Sequence, residues 1–176
     1  MNIGKVLCCW MIPVWAQTVS AQNDLQVTAP VTLVRVQIVN GCQLNNLGSG
    51  VVALGTLHFG DVYDLDSLVD ATTSLGSGSL QVRCTPGTSA KVTLGSGLYG
   101  SSVNDRKMRL VDGTATLSYQ LYTSSTRQTI WDDVMGVSLL FTDDNVKSLS
   151  IYGRIPAQVT PAAGHYYDQV VVTLTY

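Results

Sequence analysis

The chain has 176 residues, of which 12% are charged and 45% hydrophobic, and its net charge is −2. That length suits one domain rather than two, and the charged share is about half of the quarter usual in soluble proteins. The near-neutral balance argues against a nucleic-acid binder, which would carry a basic patch or stripe. No apolar run of about 18 residues follows the N-terminal segment, so no membrane span is expected in the mature chain.

Residues 1–21 read as an export signal. Lys5 supplies the positive start, residues 6–16 are an apolar stretch interrupted by Pro13, and Val19-Ser20-Ala21 offers a small-residue cleavage edge. Cys8 and Cys9 lie inside this segment and are expected to leave with it; Leu7 before Cys8 does not suit lipoprotein processing. Cys42 and Cys84 then remain in a chain sent to an oxidising compartment, which predicts one structural disulfide.

The segment 22–40 alternates, but with a change of phase. Leu25, Val27, Ala29, Val31 and Leu33 fall on odd positions; Val34, Val36 and Ile38 then take over on even ones. A one-residue shift turns every side chain to the opposite face of a strand. Either a bulge re-aims one first strand, or the two halves serve two different cores.

Further along, period-two patterning predicts strands at 54–59, 79–84, 90–94, 114–122, 137–142 and 148–154, seven or so in all with the C-terminal run. Leu-Gly-Ser-Gly recurs at Leu47, Leu75 and Leu94 with unequal spacing, which reads as turn chemistry rather than a repeat; Pro86-Gly87, Asp112-Gly113 and Asp144-Asn145 are further turn signals. No long amphipathic helix is expected. In the final strand Val170, Val172, Leu174 and Tyr176 share one face while Gln169, Thr173 and Thr175 share the other, and nothing is expected to follow that pairs with its far side.

No catalytic constellation stands out, and the expectation is of a protein that is not an enzyme and needs no cofactor or metal. Ser49, Ser77 and Ser96 lack the spacing of a nucleophile elbow and read as turn residues. The pairs Asp132-Asp133 and Asp143-Asp144, and Asp64 with Asp66, read as solvated loop carboxylates without a calcium-loop pattern. His58 and His165 are far apart in sequence and are expected to be structural, as is Trp131.

A set of motifs carries a resemblance. Gly41-Cys42, Leu57-His58-Phe59-Gly60, Leu80-Gln81-Val82-Arg83-Cys84, Arg106-Lys107-Met108, Tyr152-Gly153-Arg154-Ile155-Pro156-Ala157-Gln158 and Ala163-Gly164-His165-Tyr166-Tyr167-Asp168 occur in that order, with residues 117–122 and Trp131 among them. The mature chain resembles the spore coat protein U domain, which is shared with subunits of the archaic chaperone–usher pili. The stretch 45–52 is an insertion-like departure.

The resemblance implies an all-β, incomplete immunoglobulin-like sandwich of six strands that lacks its last one, completed by an N-terminal donor strand from another subunit. Residues 1–21 are then a signal peptide, 22–33 a donor-strand extension and 34–176 the sandwich domain. Leu25, Val27, Ala29, Val31 and Leu33 are the expected donor residues, and Val170, Val172, Leu174 and Tyr176 the expected acceptor groove. Pro30 cannot donate to a ladder; the rival register of Thr32, Val34, Val36 and Ile38 avoids it but leaves less chain for the domain's own first strand. The implied partners are other subunits in a head-to-tail polymer, a periplasmic chaperone and an outer-membrane usher. The implied place is a surface pilus serving adhesion and biofilm formation, with this one-domain chain in the shaft or as an adaptor rather than at a two-domain tip. The alternative reading is a structural coat component of a spore or cell surface.

Overall fold

A computed structural model describes residues 36–45, 55–74 and 78–176. The expected signal segment, the residues Leu25, Val27, Ala29, Val31 and Leu33, the turn residues Ser49 and Ser77 and most of the insertion-like stretch lie outside the described residues. The chain divides into two compact units, Met1–Gln37 and Ile38–Tyr176. Of the first, only Val36 and Gln37 are described, and both are exposed.

The second unit is all-β, with no helix among its described residues. Its strands are β1 (Cys42–Leu44), β2 (Val69–Thr72), β3 (Leu80–Cys84), β4 (Ser89–Leu94), β5 (Arg106–Leu110), β6 (Thr116–Tyr122), β7 (Val137–Leu140), β8 (Lys147–Leu149), β9 (Tyr152–Ile155), β10 (Tyr166–Tyr167) and β11 (Val172–Thr175). They form three hydrogen-bonded sheets ordered β1-β3-β8, β10-β5-β6-β9-β2 and β11-β4-β7, antiparallel throughout. This is the expected immunoglobulin-like all-β class with one disulfide, cut into more and shorter strands than the sequence pattern foretold.

Two of the cuts show why. β3 and β4 are separated by the turn at Pro86-Gly87, closed by the Thr88 N–H donating to the Thr85 carbonyl at 3.1 Å. β7 and β8 bend at the Asp143–Asn145 turn, where the Asp143 carboxylate accepts the Asn145 N–H. Between the bends Phe141 N–H donates to Thr88 and Gly87 N–H to Phe141, so the bent pair β3–β4 and the bent pair β7–β8 remain joined along their length. β1 and β11 occupy the other side of β3–β4, one against each half.

Period two operates as expected where one face meets the core. Leu80, Val82 and Cys84 of β3, Ala90, Val92 and Leu94 of β4, and Leu117, Tyr119 and Leu121 of β6 are buried, and they share one core with Trp131, Phe141 and Ile155.

Two strand expectations are corrected. Residues 55–59 form no ladder, although the burial alternates: Leu57 and Phe59 are half-buried while Thr56 and His58 are exposed. A Cβ on Gly153 would collide with the side chains of both Leu57 and Phe59, so this segment lies across β9 and contributes side chains without joining the ladder there. The run 148–154 is two strands, β8 and β9, broken at Ser150-Ile151, because Ile151 N–H is taken by the Thr73 hydroxyl and its carbonyl by Thr73 N–H. The short strands β1, β2, β5 and β10 were not foreseen.

Candidate assembly edge

β11 is paired on one side only. Its register against β4 sets Val172 opposite Leu94, Thr173 opposite Thr93, Leu174 opposite Val92 and Thr175 opposite Lys91. Among the described residues no strand pairs with its far edge. Val172 and Leu174 pack against the core yet are only half-buried, Thr173 and Thr175 are exposed, and Val170 continues the core-facing row. Three of the four expected groove residues are thus brought together on one incompletely covered face. The fourth, Tyr176, lies one step past β11 and is 62% exposed. It borders a shallow open hollow of about 410 Å³ that is also lined by Ala90, Leu139 and Leu140.

The start of β11 is held firmly. Gly95 N–H donates to the Val171 carbonyl at 2.9 Å. The Asp168 carboxylate accepts three donors: the Leu98 N–H at 2.7 Å, the Gln169 N–H at 2.8 Å and the Tyr119 hydroxyl at 2.6 Å. Burial, and then the bond to Asp168, push the Tyr119 phenol above its ordinary pKa. Gly97 adopts φ +86°, and a Cβ there would run into the Asp168 carboxylate, so the loop closes this tightly only around glycine.

β4, the partner of β11, is fixed by two large side chains. Trp131 is fully buried and its indole N–H donates to Val92 at 2.9 Å. Arg106, 1% exposed, donates to the carbonyls of Gly95, Leu94 and Trp131 at 2.9, 3.0 and 2.7 Å and to the Gln120 side chain at 3.3 Å. Burial lowers the pKa of its guanidinium.

At the other half of the same strand pair, Cys42 stands directly opposite Cys84 and is bonded to it. The pair is locked further by Gly41 N–H to the Thr85 hydroxyl at 3.2 Å and Thr85 N–H to the Gly41 carbonyl at 2.9 Å. Ahead of this lock, Val36, Ile38 and Val39 are 84%, 82% and 66% exposed. Two members of the rival donor register, Val36 and Ile38, are therefore uncovered.

Of the remaining residues singled out from sequence, the carboxylates Asp132, Asp144 and Asp64 make local bonds. Asp132 accepts the N–H groups of Gly136, Val134 and Met135 through one oxygen, and these bonds hold its pKa below the ordinary value. Asp144 pairs with Arg83, Asp64 caps Asp66, and His58 and His165 are exposed. No group of three or more His, Cys, Asp or Glu able to hold a metal ion occurs among the described residues. No helix there is long and apolar enough to cross a membrane. What sequence reasoning missed at the edge is the part supplied by β4 and β7: Ala90, Leu139 and Leu140 come beside Tyr176 only through the sheet register.

An open edge with a half-covered apolar row is suited to one kind of chemistry, the addition of an extended strand. Main-chain bonds then give affinity, and pockets for alternate side chains give specificity.

The chain is 38% identical over 140 residues to Protein U of Myxococcus xanthus, an alignment covering 74% of this chain and 76% of that protein. Among solved structures it is similar to a chaperone–tip adhesion subunit pre-assembly complex from the archaic chaperone–usher Csu pili of Acinetobacter baumannii. There the identity is 22%, the TM-score 0.48, and the coverage 79% of this chain and 40% of that one. A chaperone–tip adhesin complex of CFA/I fimbriae biogenesis matches at 12% identity and a TM-score of 0.36, over 76% of this chain and 42% of that one. The chain thus spans about two fifths of the length of these solved chains. The Spore Coat Protein U domain model matches residues 27–173, nearly the whole of the sandwich, and the chain belongs to that family.

Proposed function

We propose that this chain is a structural subunit of a surface pilus, exported through the periplasm and polymerised head-to-tail by donor-strand complementation. The observation that supports this reading best is the open far edge of β11 with its half-buried row Val170, Val172 and Leu174. The alternating segment Leu25, Val27, Ala29, Val31 and Leu33 has the pattern of a strand that would fill such a row in a neighbouring subunit. Because donor and acceptor belong to the same chain, the contact is heterologous, and one that does not close into a ring propagates as a filament. Before assembly the edge needs a temporary strand, which is the part a periplasmic chaperone plays, and an outer-membrane usher would exchange it for the next subunit. Adhesion and biofilm formation would follow at the level of the fibre.

The test compares a chain beginning at Gln22 with one beginning at Val34, the latter with and without a peptide of residues 22–34. The short form is expected to aggregate or melt early alone and to be restored by the peptide. A short form that melts as a stable monomer indifferent to peptide would sink the proposal. A second reading, a spore or cell-surface coat component, rests on the family's description alone. Mild shearing of cells separates the two: filaments are released by it, whereas a coat component stays with the cell.

A further inference from the structure

We infer that the Cys42–Cys84 disulfide is a mechanical clamp that routes tension from the N-terminal arm straight to the acceptor strand β11. The inference rests on the donor-strand reading above, in which each subunit is pulled at two places: its own arm, and the edge of β11 that grips its neighbour's arm.

The arm enters the sandwich at Gly41, and the first ladder it meets is β1, only three residues long. Apart from the disulfide, the arm's root is held at this point by the β1–β3 pairing and the Gly41–Thr85 bonds. Tension on so short a strand would open these bonds one after another from the Cys42 end. Beyond β1 the chain does not return to the same sheet until β3, so once β1 is peeled the load falls on the intervening stretch, whose next ladder is β2 against β9.

The disulfide prevents that at the first residue. It joins Cys42 to Cys84, the last residue of β3, whose Leu80, Val82 and Cys84 are all buried. From Cys84 the chain crosses the Thr85–Thr88 turn into β4, and β4 is the strand to which β11 is bonded, with Lys91 opposite Thr175. Tension therefore passes from arm to groove through one sulfur bridge, a few residues of backbone and one ladder. Val92 and Leu94 of β4 are fully buried, and Trp131 and Arg106 bond its carbonyls, so this path runs through the best-anchored strand of the core. The stretch between the two cysteines carries no tension while the bridge is intact.

The separation of 42 residues predicts what the clamp withholds. Fully extended at 3.3–3.6 Å per residue, that stretch, once β2 and β3 have also given way, would lengthen a subunit by at most roughly 140–150 Å.

The experiment stretches single fibres assembled from the full exported chain, comparing untreated fibres, fibres treated after assembly with a phosphine reductant, and fibres of the double variant Cys42→Ala/Cys84→Ala. Thiol labelling verifies reduction, and the reduced wild-type fibres serve if the double variant fails to fold. Untreated fibres are expected to part between subunits without an internal step. Reduced fibres are expected to yield at lower force, in internal steps of up to roughly 140–150 Å per subunit. Identical traces in the two redox states, or internal steps of that size in oxidised fibres, overturn the clamp while leaving donor-strand assembly intact. A chain that makes no fibre, or makes it equally well without residues 22–33, overturns the donor-strand reading itself and the clamp with it.

Discussion

The guanidinium of Arg106 lies among carbonyl groups, with no carboxylate bonded to it among the described residues, and joins the end of β4 to Trp131. Replacing it with an apolar chain of similar length strips partners from three carbonyls, at about 1–3 kcal/mol for each one left buried and dry. Relief of the buried charge offsets part of that. We expect Arg106→Met to lower stability by about 2–4 kcal/mol in urea denaturation, and Arg106→Lys, which keeps charge but loses the planar fork, to fall between the two. Thr88 makes the opposite case: it is 2% exposed and its hydroxyl has no partner among the described residues. Thr88→Val keeps the shape and removes the unpaired group, so a gain of up to about 1 kcal/mol is expected in the same assay. Acid sensitivity is expected at Asp70 and Asp132, which, like Asp105 and Asp144, have pKa values below the ordinary 3.8, Asp70 chiefly through its hydrogen bond with Arg154 and Asp132 through the N–H groups of Gly136, Val134 and Met135. A depressed folded pKa means that the unfolded chain binds protons first as acid is added. Their stabilisation is whole above about pH 4 and disappears as pH falls through the lower folded values. The acid limb of the melting curve should flatten in Asp70→Asn and Asp132→Asn. If both variants melt in parallel with the parent below pH 4, these carboxylates do not set it.

Motifs that looked arbitrary in the sequence gain reasons at the level of strands. Gln158 lies beyond β9, yet its side-chain amide accepts the Ser118 N–H at 3.1 Å and donates to the Ser118 carbonyl at 2.9 Å. It occupies the edge of β6 at a point β9 does not reach, acting as one extra rung; Gln158→Ala should cost about 1–2 kcal/mol by exposing that rung. Gly153 admits Leu57 and Phe59, and Arg154 grips Asp70 through two bonds of 2.7 and 2.8 Å, tying β9 to β2. The sequence revealed β3 and β6 because each has one face in the core and one outside, so burial alternates; β4 shows the same period but ends with Val92, Thr93 and Leu94 all buried. The sequence hid β1, β2, β5 and β10, which are two to five residues long and include charged or half-buried members. It misjudged 55–59 because alternate burial arises equally where a segment crosses a sheet without joining its ladder. Removing the disulfide acts at this scale as well. The loop it closes is worth about 4 kcal/mol in the chain-entropy model, an upper figure, and the double variant's thermal melt should show a loss approaching that value.

Over the described residues, the fold leaves two features uncovered that the sequence had already marked as odd: the far edge of β11, and the exposed Val36 and Ile38 ahead of β1. Under the proposed assembly, the uncovered row is the place where binding can be disrupted without loss of folding. Leu174→Lys, carrying a charge into the half-buried face, is expected to reduce binding of a peptide of residues 22–34 by tenfold or more while the monomer, tested with its chaperone, remains soluble. Unchanged peptide affinity would place the contact elsewhere. The sequence by itself determined the all-β class, the Cys42–Cys84 disulfide and the family, because period-two alternation, two cysteines outside the N-terminal segment expected to direct export, and the order of short motifs are each written locally along the chain. Tertiary structure alone decided that β1 and β11 lie end to end on one side of the bent β3–β4 pair, and that Ala90, Leu139 and Leu140 meet Tyr176. It also decided that Arg106 is buried. Those facts depend on register and on bends at Pro86-Gly87 and Asp143–Asn145, which bring residues far apart in the chain into contact, and no local pattern records which distant partner a strand will choose.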